Sequence, residues 1–304
     1  MRIVSLLSSA TEAVAALGLT DRLVGISHEC DYPPEVLDRP RVSRPRFDPA
    51  GLSSAEIDAA VRRTMETYGS VYEVDADRLA ALRPDLVLTQ AVCDVCAVPV
   101  GSAQEAVARL TPRPRVLSLD AHTLDDIART LEDLAAAAGA PERGAAAAAA
   151  FRRRLREIEA RVAGRPRPRA LALEWLDPPF LPGHWVPEMI ERAGGTCLLG
   201  APGGRSHATT WDALAGLDLD VLLLLPCGYD LTAARADADA HAEALRRIAP
   251  RAVAEGRAFV GDGAYFSRSG PRVVEGVAAL AHVFHPDVAP ADWAAGRLEP
   301  WLGR

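Results

Sequence analysis

PERGAAAAAAFRRRLREIEARVAG, residues Pro141 to Gly164, is the stretch that decides the fold. A block of alanines gives way to alternating arginine and glutamate, all strong helix formers. Pro141 stands where a proline suits the first turn. The stretch reads as a single helix of roughly 23 residues, about 35 Å long. On both sides of it, short apolar runs alternate with helical patterns, which indicates α/β architecture with largely parallel sheets. Connectors between domains are usually short and flexible. A helix this long is a strut that fixes the spacing of two lobes and limits hinge closure. The expected fold is therefore two doubly wound α/β lobes joined by one long backbone helix, with a cleft between them. The boundaries are residues 1–140 for the first lobe, 141–164 for the helix, 165–286 for the second lobe and 287–304 for a tail packed back on a lobe.

Working outward, the first lobe should contain strands at Arg2 to Leu7, Arg22 to Ser27, Val71 to Val74, Pro84 to Gln90 and Arg115 to Leu119. The hydroxyls of Ser8, Ser9 and Thr11 are expected to open a helix from Glu12 to Leu17, closed by Gly18. Further helices are expected at Ala55 to Tyr68, Ser102 to Leu110 and Leu124 to Ala138. The second lobe repeats the logic, with strands at Arg169 to Leu173, Thr196 to Leu199, Asp220 to Leu225 and Ala258 to Gly261. Its helices are expected at Pro187 to Ala193, Ala234 to Ile248 and Arg272 to Phe284.

Composition narrows the function. The net charge of −7 gives a nucleic-acid role no electrostatic support. All 34 basic residues are arginine, which removes Schiff-base chemistry and a P-loop lysine. No segment approaches the roughly 20 continuous apolar residues of a membrane span, so membrane insertion is not expected. With Met1 as the start, strand begins at once, without the basic and apolar regions of an export signal. The expectation is a cytoplasmic protein with reduced thiols, in which clustered cysteines point to metal or chemistry rather than disulfides. Removal of an upstream signal would instead place it in the periplasm or at the cell surface.

Four of the five cysteines lie where a strand gives way to a loop. His28-Glu29-Cys30-Asp31-Tyr32-Pro33 follows one strand, and Cys93-Asp94-Val95-Cys96 follows another. Glu174-Trp175 and Gly183-His184-Trp185 follow a third, and Pro226-Cys227-Gly228 a fourth. Ligands of open parallel sheets bind outside the carboxyl ends of the strands, so these residues should face one crevice. Cys93 and Cys96 have the spacing that lets two thiolates hold one metal ion, with Cys30 and His28 from a neighbouring loop, and Cys227 or His184 across the cleft, as further ligands. A thioredoxin-like reading fits less well, because Pro99 and Gly101 should delay the next helix to Ser102. His28 and His184 carry neutral imidazoles suited to a metal, and Trp175 and Trp185 offer faces to a large planar ligand. Arg268 and Arg272 flank Gly270-Pro271 at the start of the last helix and could hold a carboxylate or phosphate, or form salt bridges.

With these pieces placed, the chain resembles the helical-backbone class of ABC-transporter substrate-binding proteins, and within it the cobalamin-binding branch. The residues carrying the likeness are Ser8-Ser9-Ala10-Thr11-Glu12, Asp31-Tyr32-Pro33-Pro34, Leu82 to Leu88, Asp177-Pro178-Pro179-Phe180, Gly261 to Arg268 and Gly270-Pro271-Arg272. The resemblance implies a small-molecule ligand, cobalamin or another corrinoid, held between the lobes against aromatic side chains. Carried over by position, Tyr32, Phe180 and Tyr265 or Phe266 form the stacking surface, with Ser9, Thr11, Glu174 and Arg268 beside them. An exported member would hand its ligand to an ABC permease. The alternative is a cytoplasmic metalloprotein or enzyme on the same scaffold. There Cys30, Cys93, Cys96 and Cys227 would hold zinc or an iron–sulfur centre, and Glu174 would serve as acid or base.

Overall fold

In the computed structural model, which describes residues 1–92 and 97–303, Pro141–Val162 forms one α-helix of 22 residues. Its buried positions, Gly144, Ala148, Phe151, Leu155, Ile158 and Val162, recur every three or four residues and so make a single stripe. That stripe packs on both lobes at once. Phe151, Leu155 and Ile158 share one apolar cluster with Leu124 and Ile127 of the Leu124–Ala137 helix and with Val277 and Leu280 of the Val273–Phe284 helix. The strut is thus part of a core that runs from one lobe into the other.

Gly144 is the point of closest approach. A Cβ there would lie 2.6 Å from Ala135 Cβ and 2.9 Å from Glu132 Cα. An unhindered helical glycine gains about 1 kcal/mol on replacement by alanine. Here the sign should reverse, with Gly144→Ala costing about 1–3 kcal/mol because two helices must separate. Urea unfolding measures it; a gain in stability would show that the helices are not in this contact.

The first sheet has four parallel strands in the order Leu23–Gly25, Ile3–Ser5, Leu86–Thr89, Arg115–Ser118. The second has Thr196–Cys197, Arg169–Leu173, Val221–Leu224 and Ala258–Gly261 in parallel, then Leu298–Pro300 antiparallel at the edge. Val221–Leu224 is buried on both faces, as an uninterrupted apolar run in a covered parallel sheet should be. The tail contributes that edge strand, and Trp301 beyond it is buried with its indole N–H donating to Asp239 Oδ1 at 2.7 Å. Trp293 lies under the Arg154 guanidinium of the strut, 4.6 Å from the ring centre. Among the described residues no helix is long and apolar enough to cross a membrane.

Four elements depart from the sequence expectations. The first helix runs Ser8–Ala16 with Leu7 as its cap residue, so the hydroxyls lie inside it instead of capping it. They serve tertiary bonds: Ser8 Oγ donates to the Glu29 carbonyl, and Thr11 Oγ1 lies 3.0 Å from Cys30 Sγ. Tyr72–Val74 leaves the parallel sheet and pairs antiparallel with Ser43–Pro45. The helix expected over Ala234 to Ile248 is broken at His241, whose imidazole Nδ1 bonds the Asp237 carbonyl at 2.8 Å. Finally, Val100–Val107 is already helical with Pro99 as its extended cap residue, because proline suits a helix start more than it delays one.

Candidate ligand-binding site between the lobes

The carboxyl ends of the two sheets face each other. Residues after Ile3–Ser5 and Leu23–Gly25 meet the segment after Ala258–Gly261, and the contacts there are ionic. Arg272 grips Glu12 through two bonds, Nε to Oε2 at 2.9 Å and Nη2 to Oε1 at 2.5 Å. Arg268 grips Asp31 at 2.5 and 2.7 Å and reaches Glu12 Oε1 at 3.4 Å. Ser9 Oγ lies 3.3 Å from Ser269 Oγ, and Gly270 packs against Ser9 and Glu12. Burial works to raise the Asp31 carboxyl, but the Arg268 and Arg272 guanidinium groups outweigh it and hold it below the usual aspartate value. On another side, Ser54 Oγ donates to Asp237 Oδ1 at 2.9 Å, again from lobe to lobe. The cleft is closed, and its rim is fastened by the protein's own side chains.

Aromatic residues cluster at this rim. The Arg272 guanidinium stands 4.4 Å from the Tyr32 ring centre and 5.1 Å from that of Tyr265. Tyr32 is 43% exposed and free to meet a ligand. Trp175 and Tyr229 have ring centres 5.2 Å apart, and the Trp175 N–H donates to the carbonyls of Asp177 and Ser54. Phe180 sits directly opposite Trp175 in a small antiparallel sheet of Trp175–Leu176, Pro179–Leu181 and His207–Ala208. Trp185 and Phe266 are elsewhere. Phe266 is completely buried, and the Trp185 indole donates to its carbonyl at 2.7 Å, so both rings pack the core of the second lobe instead of facing the cleft.

The two candidate imidazoles differ in their settings. His28 has Nδ1 fixed 2.8 Å from Ser43 Oγ, which itself donates to Ser27 Oγ. Nε2 is buried without a hydrogen-bond partner, 3.6 Å from the Glu29 carboxylate. Beside it, the His28 ring centre lies 5.1 Å from that of Tyr72. The Tyr72 hydroxyl is driven upward in pKa by burial and by the neighbouring Glu29 carboxylate. His184 takes a left-handed backbone with φ of 51° and lies 5.5 Å from the ring of His122. Burial, His122 and Arg205 keep His184 neutral by lowering its pKa.

Glu174 ends the first strand of the second lobe and is nearly inaccessible. It accepts bonds from the Ser206 hydroxyl and from the Gly183 N–H. Burial pushes its pKa up to about 7, and the two bonds offset only part of that.

The metal reading fares differently. Cys93 and Cys96 lie outside the described residues. Burial pushes the Cys30 thiol up to about 11, against the opposing bond from Thr11, and Cys227 up to about 12. Among the described residues no three His, Cys, Asp or Glu side chains are grouped to hold a metal ion. The expectation of zinc or an iron–sulfur centre on Cys30 and Cys227 gains no support.

The sequence pattern of the periplasmic binding protein family matches residues 3–264. The chain belongs to that family. This family member is 28% identical to the vitamin B12-binding protein of Vibrio cholerae serotype O1 over 198 residues, 64% of this chain. The match spans 59% of that relative, so it covers about three-fifths of the curated protein's length. In three dimensions it is similar to a periplasmic heme-binding protein from Pseudomonas aeruginosa, with 25% identity, a TM-score of 0.69 and coverage of 94% of this chain and 93% of that one. The periplasmic vitamin B12-binding protein of Vibrio cholerae shares the fold at 21% identity and a TM-score of 0.65, with 94% and 96% covered.

Glu12, Tyr72 and Tyr229 have places at the cleft that residue type alone did not single out as binding positions. Glu12 looked like an ordinary first-turn helix residue. Its one sequence signal was a carboxylate flanked by Ser9 and Thr11 directly after a strand.

Proposed function

We propose that this periplasmic binding protein holds cobalamin or a related corrinoid between its lobes. The observation that carries the reading is the likeness to the vitamin B12-binding protein over 198 residues. The cleft supplies compatible chemistry. Tyr32, Trp175, Phe180, Tyr229 and Tyr265 offer aromatic faces of the kind that bind a large ring with little loss of side-chain entropy. His28, with Nδ1 held by Ser43 and Nε2 unpartnered, has the arrangement by which a protein orients an imidazole toward a metal. Cobalt is the centre it would meet in a corrinoid. The strut keeps any opening of the cleft small.

Titration with hydroxocobalamin tests the reading. Replacement of the cobalt-bound water by imidazole should shift the visible band saturably at micromolar protein, and His28→Ala should abolish the shift and weaken binding about tenfold or more. An unchanged spectrum at all concentrations would overturn the reading. In the same reading the loaded protein delivers its ligand to an ABC permease, since family relatives include an ABC transporter substrate-binding lipoprotein of Bacillus subtilis. A corrinoid permease in lipid nanodiscs should retain the loaded protein on a column; free passage would contradict delivery.

A further inference from the structure

Four charges meet at the cleft rim and cancel. Glu12 is buried to 1% side-chain exposure, Arg272 to 18% and Arg268 to 21%, while Asp31 is open to solvent. Each guanidinium is already matched to a carboxylate from the opposite lobe. Arg41, the neighbouring cation, is engaged with the backbone carbonyls of Ser27, His28 and Cys30. Glu29 stands close by and adds a further negative charge. A ligand edge arriving here finds no unmatched cation among these groups, and it finds in the exposed Asp31 carboxylate oxygens with acceptor capacity to spare.

We infer that this quartet selects the chemistry of the ligand's periphery: it admits an amide-bearing edge and rejects a carboxylate-bearing one. An amide can donate N–H to the exposed Asp31 carboxylate and accept from Arg268 or Arg272, so it fits both signs of charge at the rim without changing its own. A carboxylate can accept only. It would add a third anion beside two fixed ones, and a like charge at this distance disfavours the ionised state. Displacing Glu12 from Arg272 would not help, because a buried carboxylate left without its partner is strongly unfavourable. Asp31 and Glu12 are thus specificity residues, and Arg268 and Arg272 are held by them in a form that does not capture free anions. This rests on the corrinoid reading above and adds the rule by which the site would choose among such rings.

The test uses two corrinoids with the same ring and metal. Dicyanocobinamide carries amides around its edge, and dicyanocobyrinic acid carries carboxylates. Affinities are measured by intrinsic tryptophan fluorescence for the full chain and for Asp31→Asn, whose site is solvent-exposed and should fold; Glu12→Gln is a second variant. The full chain should bind the amide form about tenfold or more tightly than the carboxylate form. Asp31→Asn should narrow that ratio several-fold, and Glu12→Gln should narrow it further. A purely structural role would weaken both corrinoids together and leave the ratio fixed. Equal affinities in the full chain, a preference for the carboxylates, or a ratio unmoved by either variant overturns the selectivity and leaves corrinoid binding intact. If neither corrinoid binds, the functional reading falls, and the selectivity with it.

Discussion

Glu12→Ala should cost about 3–5 kcal/mol, the largest loss expected from any single substitution at the cleft. The carboxylate receives two bonds from Arg272 and a third contact from Arg268, and its side chain is 1% exposed. Removing it leaves a mostly buried guanidinium with no counter-charge. Water could relieve that only if the lobes parted. The apolar cluster that passes from Leu124 and Ile127 through Phe151 and Leu155 to Val277 resists such parting. Two comparisons isolate the mechanism. Asp31→Ala should cost less than about 1 kcal/mol, since Asp31 is solvent-exposed and its pair is screened. Glu12→Ala combined with Arg272→Leu should recover much of the loss, because the orphaned charge is gone. Urea midpoints at constant m-value give all three numbers. A Glu12→Ala loss below about 1 kcal/mol, with a larger radius of gyration, would mean that the lobes open freely and the strut does not restrain them.

The second large effect is a pH dependence from Glu174. Its folded pKa is raised to about 7 from an ordinary value of 4.5. Between those values the folded chain holds a proton that the unfolded chain has released, so stability should increase as pH falls from above 7 toward 4.5. The full difference is roughly 3 kcal/mol, at about 1.4 kcal/mol for each pKa unit. The direction is opposite to that of Asp31 and Asp220, whose paired carboxyls are held low and lose stability only as pH falls through their depressed values. Denaturation midpoints at pH 8 and pH 5.5 separate the two. Glu174→Gln should flatten the profile over that window. A wild-type profile already flat there, or one falling toward pH 5.5, would show that Glu174 is not held in a desolvated site.

The strut and both parallel sheets were legible because their signals are local. An alanine- and arginine-rich stretch without breakers has few alternatives to a helix, and Val221 to Leu225 can hardly be anything but a covered strand. The same locality explains the misses. The Ser8 and Thr11 hydroxyls looked like cap residues because their true partners, the Glu29 carbonyl and the Cys30 thiol, are about 20 residues away in sequence. Tyr72–Val74 read as one more parallel strand because nothing in it announces Ser43–Pro45 as its partner.

At the site, the strand-end rule singled out His28, Cys30, Glu174, Trp175 and Cys227; of these Trp175 bonds across to the Ser54 carbonyl, while Cys30 packs in the core of the first lobe. The rule did not say which side chains turn outward. Trp185 and Phe266 lie in the right loops, yet both fill the core, and residue type does not encode that choice. The Arg268 and Arg272 pair pointed to anions, and the anions turned out to belong to the other lobe. Charge pairing across a cleft depends on how two lobes meet, which only the folded structure supplies.

Hydrogen–deuterium exchange with and without saturating dicyanocobinamide tests most directly whether the facing strand ends form the binding site. Protection should concentrate in residues 8–12, 28–32, 174–176, 227–229 and 262–272, drawn from both lobes and from no single stretch of chain. Protection confined to one lobe, or to the outer helices, or no change at a ligand concentration that saturates the fluorescence signal, would contradict a site between the lobes.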